Sequence, residues 1–215
     1  MASYFLSDIH LRAHDDPKTK VLAGYLKSIA SQATNVFFLG DIFDFWMGGH
    51  SIWIERYRPF VEAVEDLRRN NVNVYFFEGN HDIHIDPFFA KLGVKIFTTP
   101  QILDLHGLKV RIEHGDLFNP DDGSYLFLRR FLRSGPLRWA ALTAPGFVTA
   151  WVADRGTRAS HKRTSKSGRR PEVIEDIKRR TREYLRKCAE ESKFDLMIMG
   201  HTHVREDYKI QEQGR

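Results

Sequence analysis

The segment VFFLGDIFDFW, residues 36–46, joins an apolar strand to a polar cluster and determines the fold class. Its first four residues, Val36 to Leu39, form an uninterrupted apolar run of the kind found in the middle of a parallel sheet, where both faces are covered. Gly40 and Asp41 follow at the end of that run. Ligands of open α/β sheets bind outside the carboxyl ends of the strands. Asp41 is therefore predicted to lie at a ligand-binding edge.

Elements around this segment alternate between strand and helix. Tyr4 to Leu6 is a predicted strand, and the apolar spacing between Val21 and Ile29 is helical. A second helix is predicted from Ile54 to Leu67, and Val72 to Phe77 returns as a strand rich in aromatic and β-branched residues. This β-α-β-α-β order predicts a parallel sheet covered by helices.

The second half of the chain follows a different pattern. Ile102 to Leu105 and Leu108 to Ile112, joined by a His-Gly turn, predict an antiparallel hairpin. A long helix is predicted from Pro171 to about Ser192, and a buried strand from Phe194 to Met199. Between these parts, residues 121–160 crowd Phe, Leu and Trp among arginines and two proline breaks, which predicts a cap of short amphipathic helices.

Composition limits the class of protein. The chain has 215 residues, of which 42% are hydrophobic and 28% charged, so it can bury one substantial core and is not a disordered tail. No apolar run approaches the roughly 20 residues of a membrane-spanning helix, and the start MASYFLSDIH becomes polar before a signal-peptide pattern is complete. The sequence predicts neither an integral membrane protein nor a secreted one.

Cysteine content and charge add two expectations. The single cysteine, Cys188, cannot form an internal disulfide, which fits a reducing cytoplasm, and any metal must be held by histidines and carboxylates. The formal net charge of +5 indicates an anionic partner: nucleic acid, a phosphorylated substrate or an acidic membrane surface.

Five predicted strands each end in a polar cluster, and we expect these clusters to converge. Two aspartates, an asparagine and four histidines supply N and O ligands that suit Mn, Fe or Zn, and their number suits two ions sharing a carboxylate. The predicted reaction class is hydrolysis of a phosphoester or phosphoanhydride. The clusters are Asp8-Ile9-His10, Gly40-Asp41, Asn80-His81-Asp82, His114-Gly115-Asp116 and His201-Thr202-His203.

Each cluster alone is also common as a turn, a cap or an exposed loop. Their joint occurrence, in this order and each at a strand end, is what favours a shared site.

The same series of motifs resembles the calcineurin-like metallophosphoesterases over nearly the whole chain. Within that superfamily, the segments FLSDIHL, GDIFDFW and HGDLFNPDDGSY are most similar to the UDP-2,3-diacylglucosamine pyrophosphohydrolases of lipid A synthesis. The resemblance implies an α/β sandwich of two mixed β-sheets flanked by helices, with the cap inserted at about residues 122–165 of a single domain covering residues 1–215.

The resemblance also implies a ligand set and a reaction. Asp8, His10 and His203 would hold one ion, Asn80, His114 and His201 would hold the other, and Asp41 would bridge them. The two divalent ions would be Mn²⁺, and the reaction would be water attack on the uridylyl phosphorus of UDP-2,3-diacylglucosamine, releasing UMP and the diacylglucosamine 1-phosphate called lipid X.

His81 departs from the better-known members of the subfamily, which carry arginine at this position. In the wider superfamily a histidine there protonates or stabilises the leaving oxygen, so we expect His81 to act as an acid and Asp82 to orient it. A purely supporting role for His81 is the alternative. The substitution also leaves open a different nucleotide-lipid or a simpler phosphodiester as substrate.

The cap is expected to bind the lipid. Its apolar helices would form a groove for two acyl chains, and its outer face would lie at the inner surface of the cytoplasmic membrane. The resemblance places substrate contacts at Asn80, Asp122, Tyr125, Ser160 and Lys166. The alternative is an ordinary helical hairpin packed on the sheet.

Two other functions fit parts of the sequence. A general metal-dependent phosphodiesterase or phosphatase would use the same ligands, with the cap only structural. A nucleic-acid-binding protein would use the basic residues 155–182, but that segment lacks the interleaved aromatic residues of a single-strand platform, so no nucleic-acid partner is expected.

Overall fold

The computed structural model describes residues 2–13, 15–164 and 170–210, with side chains described for these ranges except residues 156–164. The strands are β1 (Ala2–Leu6), β2 (Ala33–Phe38), β3 (Trp46–Met47), β4 (Asn73–Phe77), β5 (Asp82–Ile83), β6 (Lys95–Phe97), β7 (Gln101–Leu105), β8 (Leu108–Glu113) and β9 (Leu196–Met199). The helices are α1 (Pro17–Ile29), α2 (Ser51–Arg56), α3 (Arg58–Arg69), α4 (Asp86–Phe89), α5 (Gly123–Leu132), α6 (Gly135–Thr143), α7 (Gly146–Thr164) and α8 (Pro171–Glu191).

The first sheet has the strand order β1-β2-β4-β6 and is parallel throughout. It contains the three predicted strands of the first half and the short strand β6. Alternate residues of β2 point to opposite faces, because side chains alternate along a strand. Val36 and Phe38 join the large core that also contains residues of α1 and α3. Phe37 joins a second, smaller core on the other face.

The second sheet has the order β7-β8-β9. The hairpin of β7 and β8 is antiparallel, as predicted, while β9 is parallel to β8, so this sheet is mixed. Val110 and Ile112 of β8 pack with Phe37 and Phe77 of the first sheet in the smaller core. The two sheets therefore form the expected sandwich, but only the second is mixed, whereas the resemblance implies two mixed sheets. Helices cover the outer face of the parallel sheet.

The predicted helix from Ile54 to Leu67 is two helices, because the chain leaves the helical conformation at Tyr57. Pro59 lies in the first turn of α3, where its missing N–H has no intrahelical partner to lose. The break is buried: Tyr57 is 1% exposed, and its hydroxyl donates to the Phe45 carbonyl at 3.1 Å.

Helices α5, α6 and α7 follow β8, where the sequence predicts the cap. Three arginines fix the first two of them to the core. Arg129 donates to Asp116, Arg133 to Glu78, and Arg138 to Asp86. Among the helices of the described residues, none combines the length and the apolar character needed to cross a membrane.

Candidate metal centre

The strand-end clusters converge, as predicted, because backbone hydrogen bonds tie their loops together. The Asp8 and His10 amides, after β1, donate to the carbonyls of Gly40 and Asp41, after β2, each at 3.1 Å. The Gly200 amide, after β9, donates to the His114 carbonyl at 2.9 Å, at the end of β8. The first two bonds join loops of the parallel sheet, and the third joins loops of the mixed sheet. The His201 amide links the two sheets by donating to the Asp8 carboxylate.

Five of the seven predicted ligands have left-handed backbone conformations. They are Asp8, His10, Asp41, His201 and His203, with φ between 52° and 70°. A residue with a Cβ atom adopts this region at a cost of order 1–3 kcal/mol. Because such strain persists only where the surrounding structure enforces it, its concentration here marks a functional site.

Asp8, His10 and His203 form the first group of ligand atoms. The His10 and His203 Nε2 atoms lie 3.4 Å apart, and the His203 Nε2 lies 3.5 Å from the Asp8 Oδ1. Both oxygens of Asp8 also accept from the His201 amide, at 2.9 and 3.0 Å, which fixes the carboxylate. Burial is the largest influence on His10 and lowers its pKa, which favours the neutral ring that binds a metal.

Asn80, His114 and His201 form the second group. The His114 Nε2 lies 3.2 Å from the Asn80 Oδ1 and 3.1 Å from the His201 Nδ1. On its other side, the His114 Nδ1 lies 2.7 Å from the Leu39 carbonyl, to which it donates. That bond directs Nε2 toward the site and leaves it able to bind a cation. Burial and the neighbouring His114 lower the pKa of His201 to about 4, so this ring is neutral at pH 7.

Asp41 groups with His114 and His201, and its charge also acts on His10 of the first group. Its Oδ1 accepts from the Asn80 and His81 amides at 2.9 and 3.0 Å, and its Oδ2 lies 3.7 Å from the His114 Nε2. Burial alone would raise the pKa of Asp41, but His114, His81 and His10 outweigh it and lower the pKa to about 2. The carboxylate is therefore ionised and suited to bridge two cations.

The donor atoms fit divalent metal ions. Two ligand atoms each about 2.1 Å from one ion lie roughly 3.0 to 3.4 Å apart in octahedral or tetrahedral geometry. The nitrogen pairs of His10 with His203 and of His114 with His201, at 3.4 and 3.1 Å, match this spacing. The ligand atoms of Asp8, His10 and His203, and likewise those of Asp41, His114 and His201, all lie within 4.8 Å of one another. The lowered pKa values of His10 and His201 favour neutral rings beside the ionised Asp41, which suits a site that binds a cation.

His81 lies beside the first group, but a different residue from the predicted one holds its ring. The His81 ring meets that of His10 edge to face, with centroids 4.9 Å apart. Its Nδ1 donates to the Asp44 carbonyl at 2.7 Å, whereas we expected Asp82 to orient it. The Asp44 carboxylate in turn faces the His10 Nδ1 at 3.8 Å, so Asp44 contacts a predicted ligand and the predicted acid.

Asp82 supports the loops instead of the His81 ring. It is fully buried; its Oδ1 accepts from the Asp41 and Gly79 amides at 3.0 and 2.8 Å, and its Oδ2 accepts from the Ile42 amide at 2.8 Å. Burial and the neighbouring Asp41 raise the pKa of Asp82. Backbone amides of the turn lie within hydrogen-bond distance of this carboxylate and need an acceptor, so Asp82 binds them and the His81 ring is held by Asp44.

Gly79 is required by close packing. A Cβ atom at this position would meet the Asp41 carboxylate and would lie 2.6 Å from the Asp41 amide nitrogen and 2.9 Å from the Asp82 Oδ1. Carbon atoms of real side chains do not approach so closely, so this residue lets the two strand-end loops touch.

Of the predicted substrate contacts, Asn80 and Tyr125 lie at the centre. Tyr125 has its ring 5.8 Å from that of His201, and its hydroxyl donates to Asp116 at 2.8 Å. Asp122 is exposed and caps α5 by accepting from the Tyr125 amide at 2.9 Å. Ser160 belongs to α7, but its side chain lies outside the described residues, as does all of Lys166.

Sequence reasoning missed three supporting carboxylates: Asp44, Glu78 and Asp116. Asp116 and Asp44 stand inside quoted motifs, two residues after His114 and three after Asp41, and that proximity was the available signal. Glu78 is 3% exposed and follows β4 directly. Its partner Arg133 is 55 positions away in the sequence, so no local pattern predicts their contact.

Comparison with known proteins gives a consistent result. A family model described as calcineurin-like phosphoesterase matches residues 1–205. The chain is 29% identical over 206 residues to a UDP-2,3-diacylglucosamine hydrolase of Histophilus somni strain 2336, covering 94% of this chain and 83% of the relative. A UDP-2,3-diacylglucosamine hydrolase of Haemophilus influenzae Rd is 30% identical over 214 residues, covering 98% of this chain and 86% of the relative. The match to that of Aeromonas salmonicida is 35% over 150 residues, or 67% and 57% of the two chains.

Solved structures give a weaker likeness. The nuclease MPE of Pseudomonas putida aligns with a TM-score of 0.35 and 20% identity over 51% of each chain.

Proposed function

The chain belongs to the calcineurin-like phosphoesterase family, and we propose that it hydrolyses the pyrophosphate bond of UDP-2,3-diacylglucosamine at a two-metal centre. The observation that carries the proposal is the convergence of the predicted N and O donors from five strand ends into two groups, one of which contains Asp41. The relatives named for this activity support the choice of substrate. In this proposal residues 1–215 form one catalytic domain, and the cap spans about residues 122–165.

Each ligand has the role that its position supports. Asp8, His10 and His203 would hold one ion, Asn80, His114 and His201 would hold the other, and Asp41 would contribute to both. When bound, two divalent ions, which we propose to be Mn²⁺, lower the pKa of a coordinated water and neutralise charge on the phosphoryl oxygens. The products are UMP and 2,3-diacylglucosamine 1-phosphate.

His81 supplies a proton or a hydrogen bond to the reacting phosphate. Because its Nδ1 donates to the Asp44 carbonyl at 2.7 Å, the protonated ring presents its Nε2–H away from that bond. The Asp44 carbonyl fixes the orientation of the ring, as a geometrically defined acid requires. Asp82 acts indirectly, by holding the Asp41 and Gly79 amides in place.

Substrate contacts come from the cap and the turn before it. Tyr125 reaches the centre from α5, and Asn80 reaches it from the turn after β4. The Asn80 side-chain amide can donate to a phosphate oxygen, and the Tyr125 hydroxyl, which donates to Asp116, can accept from a sugar hydroxyl. Asp122, Ser160 and Lys166 complete the proposed contacts by resemblance.

The cap exposes an apolar surface that suits a lipid. Its largest exposed apolar side chains are Phe127, Leu128, Phe131, Trp139, Phe147, Val148, Trp151 and Val152. Four of these lie on α7 as two adjacent pairs, Phe147 with Val148 and Trp151 with Val152. The pairs are four residues apart and therefore share a helix face. Arg155 lies over the Trp151 ring at 3.8 Å, which places a cation beside the apolar face. We propose that this surface, the cap surface, binds the acyl chains and contacts the inner face of the cytoplasmic membrane.

A substrate panel tests the proposal. The purified protein is assayed with UDP-2,3-diacylglucosamine and with a simple aryl phosphodiester, with Mn²⁺ added or chelated. Mn²⁺-dependent release of UMP from the lipid, with slow turnover of the aryl ester, is the expected result. Turnover of the aryl ester alone would retain the metal centre and contradict the lipid substrate. The presence of His81 where related enzymes carry arginine makes that comparison necessary.

A further inference from the structure

The turn Glu78–His81, here called the β4 turn, is held from two sides. On one side carboxylates bind its amides: Asp82 accepts from Gly79 at 2.8 Å, and Asp41 accepts from Asn80 at 2.9 Å and from His81 at 3.0 Å. On the other side the carbonyls of the turn need donors. The cap supplies one.

Arg133 is that donor. It lies at the end of α5, and its Nη2 donates to the Gly79 carbonyl at 2.8 Å and to the Glu78 carbonyl at 3.2 Å. Its Nη1 donates to the Glu78 Oε2 at 2.7 Å. One guanidinium therefore binds three acceptors on the two residues that precede Asn80.

Both partners of this contact are withdrawn from water. The Arg133 side chain is 14% exposed and that of Glu78 is 1% exposed. The other oxygen of Glu78 accepts from the Ile85 amide at 3.1 Å, so the carboxylate is fixed. A buried pair with additional hydrogen bonds holds its geometry far better than a surface pair, whose side chains exchange partners with water.

We propose that Arg133 is a positioning residue that fixes the β4 turn, and with it Asn80 and His81, against the cap. The guanidinium fork matches three acceptors in fixed directions, which a single ammonium cannot reproduce. Movement of α5 therefore displaces the turn that carries one predicted ligand and the predicted acid. The inference rests on the proposed function in taking the same metal centre as the site of reaction.

Arg138 provides a matched control on the same cap. It also binds a carboxylate with both arms, at 2.8 Å each, but that carboxylate is Asp86 and lies outside the β4 turn. If the two arginines only stabilise the cap, replacing either one should change Mn²⁺ binding to a similar extent. A positioning role predicts an effect on metal binding at Arg133 only.

The test is Mn²⁺ binding to metal-free protein, followed by the electron paramagnetic resonance signal of free Mn²⁺, together with the thermal midpoint of each variant. Arg133→Met is expected to weaken binding of the ion held by Asn80 by about 10- to 100-fold, the range typical of partners behind metal ligands. Arg133→Lys is expected to keep most of the wild-type thermal midpoint, because the lysine charge balances that of Glu78. Its Mn²⁺ affinity should still be at least about tenfold below that of the wild type. Arg138→Met retains the wild-type affinity.

A double variant, Glu78→Leu with Arg133→Met, serves if Arg133→Met alone does not fold, because an apolar pair can replace a buried ion pair without loss of stability. It is expected to fold and to bind Mn²⁺ weakly. Wild-type affinity in folded Arg133→Met or in the double variant, or an equal loss in Arg138→Met, would overturn the inference. Normal Mn²⁺ binding by wild type without UMP release would overturn only the proposed function, while wild type that binds no Mn²⁺ would overturn both.

Discussion

In the proposed centre, Asp41 would bridge the two ligand groups. Asp41→Asn keeps an oxygen that can accept from Asn80 and His81 but removes the negative charge between the ions. We expect less than two equivalents of bound Mn²⁺ and a loss of activity greater than about 100-fold, since even residues behind the ligands cost 10- to 100-fold. Metal content by mass spectrometry and the rate of UMP release check this. Two bound equivalents and a wild-type rate would rule out a bridging role.

Gly79 tests the packing between the strand-end loops. Gly79→Ala places a methyl group against the Asp41 carboxylate, so we expect a loss of stability of about 1–3 kcal/mol and weaker metal binding. Gly24→Ala is the control, because a Cβ atom at Gly24, within α1, meets nothing within 4 Å. It should raise the free energy of unfolding by about 0.5–1 kcal/mol. Urea unfolding measures both; equal effects would contradict the packing argument.

At the residue scale, the residues that converge at the candidate centre were predictable because each stands within four residues of the end of an apolar strand. The residues that hold those side chains in place could not be predicted in the same way. Asp44 holds the His81 ring through a backbone carbonyl, and every residue has such a carbonyl, so its type carries no signal. Asp82 was assigned to the wrong partner because a motif places it beside His81 in sequence, while the turn directs its carboxylate to backbone amides.

At the scale of elements, the contact between α4 and α6 makes stability depend on pH. The hydrogen bonds from Arg138 lower the pKa of Asp86 below its ordinary value of 3.8. The unfolded chain then binds more protons than the folded one below about pH 4, so this contribution is present above that pH and is lost as the pH falls. Arg138→Met should reduce the free energy of unfolding that is lost between pH 5 and pH 3. The reduction should be less than about 1 kcal/mol, because the pair is half-exposed.

Urea unfolding at several pH values measures how the free energy of unfolding depends on pH, which is the slope compared below. Arg130→Met removes an exposed arginine of the same cap and should leave the slope unchanged. If the Arg138→Met protein kept the wild-type dependence of unfolding free energy on pH, Asp86 would have the same pKa in the folded and unfolded states of the wild type, which contradicts the prediction.

The apolar face of α7 tests the cap surface. Phe147→Ser with Trp151→Ser removes two exposed side chains, 72% and 57% accessible, and should reduce sedimentation with anionic phospholipid vesicles by about tenfold or more. Val21→Ser, at an equally exposed apolar residue on α1, is the matched control and should not reduce it. Unchanged sedimentation of the double variant would contradict membrane contact through this face.

Long elements were predictable from periodicity, and short ones were not. Strands β3 and β5 have two residues each, too few to show alternation, and β6 has three. The break between α2 and α3 preserves the apolar face that predicted one helix, since Phe60, Val64 and Leu67 of α3 are all buried. The proline that marks the start of α3 was the available signal.

At the scale of the whole molecule, the sandwich explains why His10 and His203, 193 positions apart in the sequence, can share one ion site. Asp8 follows a strand of the parallel sheet, and His201 follows a strand of the mixed sheet, yet the His201 amide donates to the Asp8 carboxylate. The sequence predicted both sheets, but the way one packs on the other follows from side chains such as Phe37 and Ile112 meeting between them. That packing brings the carboxyl ends of β1, β2, β4, β8 and β9 to one edge.

The most direct test of the two-metal hydrolysis is the fate of the oxygen of water. UDP-2,3-diacylglucosamine is hydrolysed with Mn²⁺ in water enriched in oxygen-18, and the masses of both products are measured by mass spectrometry. The account predicts one labelled oxygen in UMP, none in 2,3-diacylglucosamine 1-phosphate, and no turnover once Mn²⁺ is chelated. Label in the sugar phosphate, or release of UMP that continues without a divalent ion, would contradict it.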